Sequence, residues 1–490
     1  MTDSTPPTDG DLSLLGRLER VPFGRFQWRM LWMGGLGYTF DAMDGAMIAF
    51  ILPAVTALWQ LTDQQTGLLG SSAMIGYLAG AFFAGTLGDL IGRRAVMMYA
   101  LAVYCVATLI AAFAPSWQFL FWWRVAASVG TGAESAIIAP FLAEFVQKRH
   151  RGRFVGALSG FFSFGFVFAA LLGYFVIRGS HDGWRIAQIV CALPIVMLLW
   201  WRRSLPESPR WLIERGRAAE AEAVVARIEA DATRREPLPP AESVELPVAR
   251  IEADATRRGR QPPLGSAEQP GKTGTFARNL AALWSPSMRR TTIMLWLLWI
   301  AITFSYYGFF TWIPSLLVKH GMTTTRSFGY SLIIYLAQIP GYYSAAFLSE
   351  KLDRKWTIVL YMVSGSVAAY AMSNAATDVS ITTAGFLMSF FMNGTYAGIY
   401  AYTPELYPTA FRTTGMGVAS AFGRIGGLSA PIVIGYTFRE IGFAGVFSIT
   451  TIVLMIGAGA VALLGIGTAG KSLEQITTEE LRRAPPRSLG

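Results

Sequence analysis

Asp41 and Asp44 lie three residues apart in an apolar stretch that reads Y-T-F-D-A-M-D-G. That spacing is close to one helical turn, so both carboxyl groups share a face. Glu134 occupies a second such stretch, after Arg124 and the small residues Ser128, Gly130 and Gly132. Arg424 stands in a third, A-F-G-R-I-G-G-L-S-A-P. A charge inside apolar sequence is costly to bury, so each of these residues needs a structural partner or a function. Burial disfavours the charged form of a carboxyl group, which makes such acids carriers of protons near neutral pH. The three histidines, His150, His181 and His320, fall in predicted loops, so interior proton traffic belongs to the acids. Arginine is permanently charged and presents a flat fork of donors that suits a carboxylate. The six lysines all lie in loops or tails, which leaves Arg424 as the main central cation. Its structural alternative is a salt bridge to Asp41 or Asp44, and that of Arg124 is snorkelling or pairing with an acid.

The elements that carry these charges are membrane spans. The chain has 490 residues, of which 53% are apolar and only 15% charged, against about 25% charged in a soluble domain. Twelve apolar runs recur, at about 30–58, 67–87, 95–114, 117–143, 154–177, 184–201, 291–318, 328–348, 356–373, 381–402, 414–436 and 444–466, each near the ~20 residues that cross a bilayer. Runs of this length in lipid are helices. Asp41 and Asp44 then sit about 15–20 Å into the first run at 1.5 Å per residue, near the midplane. The seventh run is rich in aromatic residues. Its Tyr306 and Tyr307 have hydroxyls that need polar partners at that depth. Gln338 and Asn393 are candidate cavity-lining amides on the same logic. Phe161, Phe164 and Phe168 of the fifth run offer a stacking wall or simple packing.

Four pairs of charges recur at one offset of 261 residues: Asp89 with Glu350, Arg93 with Arg354, Glu144 with Glu405, and Arg151 with Arg412. An offset kept four times marks a duplicated unit, and in a membrane protein a duplicated unit places the site between the halves. Arg424 falls opposite Ser163 in this register, so its charge is not imposed by the duplication. The eight repeated charges lie at span ends and form candidate gating networks. The net charge of +10 follows from arginines and lysines gathered in alternate short loops. Under the positive-inside rule they place both termini in the cytoplasm. Nucleic acid is not implied. Cys105 and Cys191 lie within spans, so no disulfide framework is expected. No metal-ligand cluster, nucleotide loop or nucleophile triad is apparent, which argues against an enzyme, a cofactor or a metal.

The loop G-T-L-G-D-L-I-G-R-R at 85–94 and its looser copy at 346–355 resemble the loop between the second and third helices of the major facilitator superfamily. The run P-E-S-P-R-W-L at 206–212 resembles the sugar porter and organic ion transporter branch. The Asp41/Asp44 pattern is similar to the first helix of aromatic acid/proton symporters, with Ala42 where that family usually has glycine. R-x-G-x-x-x-x-P from Arg424 resembles the eleventh helix of organic anion transporters, where an arginine holds the anion. The resemblance implies an all-α membrane protein of twelve transmembrane helices in two pseudo-symmetric six-helix bundles. The organisation expected is a cytoplasmic tail and lead-in at 1–29, a first bundle at 30–201, a cytoplasmic linker at 202–289, a second bundle at 290–466 and a cytoplasmic tail at 467–490. The linker contains an eleven-residue segment, Val225–Arg235, repeated identically at Val248–Arg258. One linker helix is expected over Arg210–Arg235, started by Pro209.

The function expected is proton-coupled symport of a small organic anion, an aromatic or heterocyclic carboxylate, across the cell membrane by a monomer. Arg424, Tyr306, Tyr307, Gln338 and Asn393 would bind the substrate. Asp41, Asp44 and Glu134 would carry the proton. Asp89, Arg93, Glu144, Arg151, Glu350, Arg354, Glu405 and Arg412 would gate. Three alternatives stay open: an organic cation transporter using the three acids, a neutral sugar uniporter, and a non-transporting receptor.

Overall fold

The computed structural model describes residues 14, 16–18, 21–180, 182–233, 272–408 and 412–468. His181, the second copy of the duplicated segment and the C-terminal tail lie outside the described residues, as do the side chains of Asp89, Glu350 and Arg412.

Spans 1 to 5 are single helices, Arg25–Trp59, Asp63–Ile91, Arg93–Ala111, Trp117–Ala143 and Lys148–Phe175. Span 6 is broken: Gly183–Ala192 and Met197–Ser204 meet through a 3-10 turn, Leu193–Val196, that contains Pro194. Spans 7, 9 and 10 are Arg289–Lys319, Arg354–Ser373 and Asp378–Leu406. Span 8 comprises Thr324–Leu336 and Gln338–Leu352, which join through Ala337 with helical backbone angles (φ −63°, ψ −18°). Spans 11 and 12 form one helical run, Arg412–Leu464, interrupted at Gly442 (φ 61°, ψ −167°). A loop at about 437–443 is therefore replaced by a single turn residue whose backbone only glycine adopts freely. Among the described residues nine helices are long and apolar enough to cross a membrane. The fractured sixth span, the tenth, and the fusion of the last two bring the passages to the expected twelve. The tenth is a continuous helix whose apolar sequence is diluted by Ser389, Asn393, Thr395, Thr403 and Glu405. An even number returns the chain to the side on which it started. That side, which also carries the linker, is termed the linker side below, and the other the far side.

The repeat extends to the helix bounds. Moving span 2 by 261 gives 324 to 352, the bounds of span 8. Moving span 3 gives 354 to 372, where span 9 runs Arg354–Ser373. Gly92 and Asp353, one offset apart, both take positive φ, at 97° and 95°. In both halves the backbone N–H two residues on donates to a carboxylate. Arg94 N donates to Glu207 Oε1 at 3.2 Å, and Lys355 N to Asp353 Oδ1 at 2.8 Å. The first copy uses glycine and takes its carboxylate from the P-E-S-P-R segment; a Cβ on Gly92 would meet Glu207 Oε2 at 2.5 Å. The second copy has no such segment, so Asp353 supplies its own cap and tolerates the strained backbone. Strain of this kind is worth about 1–3 kcal/mol. Asp353→Gly is therefore expected to be more stable than Asp353→Ala by about that amount, read as a difference in midpoint of thermal unfolding. Equal midpoints would show that the backbone there is not strained.

Helices in lipid associate through close packing, which favours small residues. Within the first half, a Cβ on Gly132 would meet Tyr77 O at 2.2 Å, and one on Gly130 would meet Ala100 O at 2.5 Å. Span 4 is thus seated against spans 2 and 3 at the two glycines singled out in the sequence. The halves meet along three seams: span 1 with span 7, span 2 with span 11, and span 5 with span 8. Exchanging the halves turns the second seam into the third, as a two-fold relation requires. The seams are tight on the far side. There a Cβ on Gly67 of span 2 would meet Pro431 O of span 11 at 2.6 Å. Asp63 of span 2 pairs with Lys319 at the end of span 7. The Lys319 ammonium also lies 4.4 Å from the ring centre of Phe438.

The linker helices differ from the single helix expected. Ser208 caps Pro209–Glu214 by accepting from Trp211 N at 3.2 Å, with Pro209 at the first position. The chain then turns at Gly216 (φ 71°) and resumes as Ala218–Thr233. The first copy of the duplicated segment packs onto the first bundle through Ile228, which is buried in that bundle's apolar core. Arg17 donates to Glu229 at 2.6 Å and holds the N-terminal lead-in to that helix.

Candidate functional site

The acids of span 1 face span 4 but meet different partners. Asp44 Oδ1 accepts from Arg124 Nη1 at 2.6 Å and from Thr108 Oγ1 at 3.3 Å, and Arg124 Nη2 donates to the Asp44 carbonyl at 2.7 Å. Both side chains are fully buried. This is a compensated ion pair, held by charge-assisted bonds. The sequence weighed Arg424 as a partner for Asp41 or Asp44, but Arg124 takes that place.

Asp41 accepts from Ser135 Oγ at 2.8 Å through one carboxyl oxygen; the other has no hydrogen-bond partner. Glu134 is fully buried, and neither of its oxygens has a hydrogen-bond partner. It presses against Gly37, where a Cβ would sit 2.8 Å from Glu134 Oε1, with Ile138 and Trp201 alongside. Asp41 is its electrostatic neighbour. Two carboxyl groups are thus buried as neighbours, and among the described residues no cation is paired with either. Burying them as charges would be expensive, whereas exchanging a proton there changes the charge of the site directly.

Arg424 lies on span 11 near the midplane and is half-buried. Its guanidinium carbon stands 4.4 Å from the ring centre of Tyr77 on span 2, in the other half. Its Nη2 donates to the Tyr77 hydroxyl at 3.5 Å, the limit for such a bond. Tyr307, Tyr396 and Tyr400 also lie within electrostatic reach. Among the described residues no carboxylate forms an ion pair with it. One face of the guanidinium is covered by an aromatic ring, which is favourable for a cation, while its fork of donors has no anion.

Tyr306 and Tyr307 are in contact, with ring centres 5.4 Å apart, and Tyr306 lies 5.0 Å from Tyr396. The Tyr306 hydroxyl donates to Gln338 Oε1 at 3.3 Å, while the Gln338 amide nitrogen, fully buried, has no partner. Gln338 lies midway along span 8, just after Ala337. Asn393 donates to Ser389 O at 2.9 Å. The fifth span contributes Phe166, 5.7 Å from Tyr306. Phe164 and Phe168 are 40% and 47% exposed; Phe161 packs on Trp32 and Phe164. The sequence reading missed Tyr77, Tyr396, Tyr400 and Ser135. The repeat could have found Tyr77, since adding 261 to its number gives Gln338, which was singled out.

Of the eight repeated charges, Arg93 pairs with Glu144, which also accepts from Ser208 Oγ. Arg354 pairs with Glu405 at 2.9 Å. These two pairs are images of each other under the offset, and each lies within one half rather than between halves. Arg151 donates to the carbonyls of Ala143 and Val146 at 2.9 and 3.2 Å, closing the end of span 4.

The sequence model of the family described as "Sugar (and other) transporter" matches residues 36–479. The niacin transporter NiaP of Acinetobacter baylyi is 39% identical over 466 residues, covering 95% of this chain and all of the relative. A putative niacin/nicotinamide transporter of Bacillus subtilis is 34% identical, covering 91% of this chain and 98% of the relative. Among solved structures, the xylose transporter XylE from E. coli in a partially occluded inward open conformation superposes with a TM-score of 0.71. It covers 92% of this chain and 100% of the transporter, at 16% identity, a likeness of fold alone.

Proposed function

This chain belongs to the sugar (and other) transporter family of the major facilitator superfamily and is a membrane transporter, and from that premise we propose that it carries a heterocyclic carboxylate, nicotinate or a close analogue, in symport with protons. The observation that carries the reading is Arg424: a midplane guanidinium, half-buried, stacked on Tyr77 and, among the described residues, with no carboxylate paired to it. A ring-bearing carboxylate would bring its anion to the fork of donors and its ring to the aromatic cluster of Tyr306, Tyr307 and Tyr396. Gln338 and Asn393 offer amide groups at the margin. Relatives named for niacin support the same class.

Asp41 and Glu134 are the proposed proton carriers. Protonation removes the repulsion between these acids and an incoming anion, which gives a physical reason for symport. Asp44, already neutralised by Arg124, is proposed to fix span 4 against span 1. In the proposed alternating access the two halves rock about the midplane. The linker side is proposed to be cytoplasmic, and the tight far-side seams belong to its inward-facing state. Arg93, Glu144, Arg354 and Glu405 then brace each half on that side, with Asp89, Arg151, Glu350 and Arg412 in the same networks.

The test is uptake of labelled nicotinate into proteoliposomes under an acid-outside gradient. Accumulation that a protonophore collapses is the expected result, with benzoate competing and nicotinamide competing far less. Nicotinamide has the same ring without the charge. Equal competition by both would remove Arg424 from the reading, and stimulation by an organic cation alone would overturn it.

A further inference from the structure

A cavity of about 280 Å³ lies between the start of span 1 and the linker helix Ala218–Thr233, lined by Phe26, Arg29, Arg227, Ala230 and Asp231. Among the described residues none of its three charged side chains forms an ion pair. The acids that could have served them are engaged: Glu229 and Glu222 pair with Arg17 at 2.6 and 3.7 Å. The Arg29 guanidinium stands 5.5 Å from the ring centre of Phe26, and its Nε is buried with no hydrogen-bond partner.

The depth of this cavity identifies its solvent. Span 1 has 35 residues, about 52 Å at 1.5 Å per residue, against a hydrocarbon layer of ~30 Å. Its midpoint is residue 42, thirteen residues from Arg29. Arg29 therefore lies roughly 20 Å from the midplane, about 5 Å outside the hydrocarbon, in the layer of phosphates. Trp28 and Trp32, one turn apart on the same helix, are 54% and 55% exposed. Tryptophans so placed mark the boundary between headgroups and acyl chains.

We propose that this cavity binds the phosphodiester of an anionic phospholipid from the linker-side leaflet. Arg29 and Arg227 hold the phosphate, the acyl chains descend along Trp28 and Trp32, and Asp231 accepts from a headgroup hydroxyl. Two guanidiniums and one carboxylate leave one positive charge, which one phosphodiester neutralises. Basic pockets at this depth suit such headgroups. A bound lipid would tie span 1, which carries Asp41 and Asp44, to the linker. The inference does not depend on the identity of the transported substrate.

The experiment is native mass spectrometry of the full-length protein titrated with phosphatidylglycerol and, separately, phosphatidylcholine. The wild type is expected to retain one phosphatidylglycerol and not phosphatidylcholine. Arg29→Gln/Arg227→Gln is expected to weaken retention by about tenfold or more, the worth of ~1.4 kcal/mol. Arg217→Gln, whose partner Glu220 is exposed, should retain lipid like the wild type. Photo-crosslinking of a phosphatidylglycerol analogue to the wild type needs no variant, and its adducts should map to 26–32 or 227–231. Equal retention by wild type and double variant, or adducts elsewhere, would overturn the proposal. Displacement by inorganic phosphate at matched concentration would assign the cavity to a soluble phosphate instead.

Discussion

Arg424→Ala is expected to abolish high-affinity nicotinate binding while leaving the fold intact. Truncating one partner of a buried charge-assisted pair costs about 2–5 kcal/mol. At about 1.4 kcal/mol per decade, apparent affinity should fall roughly 30-fold to more than 1,000-fold. The fold should survive because, among the described residues, no carboxylate is paired with Arg424 and its removal orphans no anion. Arg424→Lys separates charge from geometry. It keeps the cation but loses the planar fork and the stacking on Tyr77, and should recover only part of the affinity. Isothermal titration with nicotinate at fixed pH measures both, with thermal unfolding as the control. An Arg424→Ala protein that binds nicotinate normally would place the anion elsewhere. One that fails to fold would return Arg424 to a structural role.

The acids should divide into two classes. Glu134→Gln is expected to abolish pH-driven accumulation and to spare exchange of labelled for unlabelled substrate, because exchange needs no net proton movement. The protein should remain stable, since neither oxygen of Glu134 has a partner to lose. Asp41→Asn should behave similarly, with a small loss from the Ser135 bond. Asp44→Asn is expected to fail differently. Removing one member of a buried ion pair costs about 3–5 kcal/mol, because it leaves the other charge uncompensated. The yield of folded protein and its unfolding midpoint should fall first, before any transport phenotype can be read. Asp44→Asn combined with Arg124→Leu should recover stability, because no buried charge is then left alone. Driven uptake by Glu134→Gln equal to wild type would remove Glu134 from proton transfer.

Much of this architecture was legible because lipid imposes simple rules. Apolar runs of about 20 residues can only be spans, and four charges at one offset can only be a repeat. The same offset recurs in the helix bounds and in the backbone of Gly92 and Asp353. What the runs conceal is where helices break or fuse. Gly442 interrupts apolar sequence with a small residue that looks no different from its neighbours, and the local backbone alone reveals it. Pairings across spans were hidden for another reason. Whether Asp44 turns to Arg124 or to Arg424 depends on how spans are rotated against each other. That rotation is set by contacts such as Gly132 on Tyr77, not by spacing along the chain. Tyr77 was overlooked because a tyrosine in a span is ordinarily interfacial or packed. Its placement under Arg424 follows from the seam between spans 2 and 11.

The self-neutralised Asp44–Arg124 pair determines where membrane voltage can act. A compensated pair moves no net charge when the halves rock. Among the described residues, the proposed field-sensitive groups at the midplane are then Arg424, Asp41 and Glu134. On the proposed cycle a bound carboxylate cancels Arg424, and a proton on each acid cancels the other two, so the loaded carrier crosses as an electrically neutral body. Emptied and deprotonated, these three groups carry two negative charges and one positive. An inside-negative potential then drives the empty carrier's return, worth ~2.3 kcal/mol per charge for each 100 mV. Voltage would set the pace of resetting, and the proton gradient that of delivery.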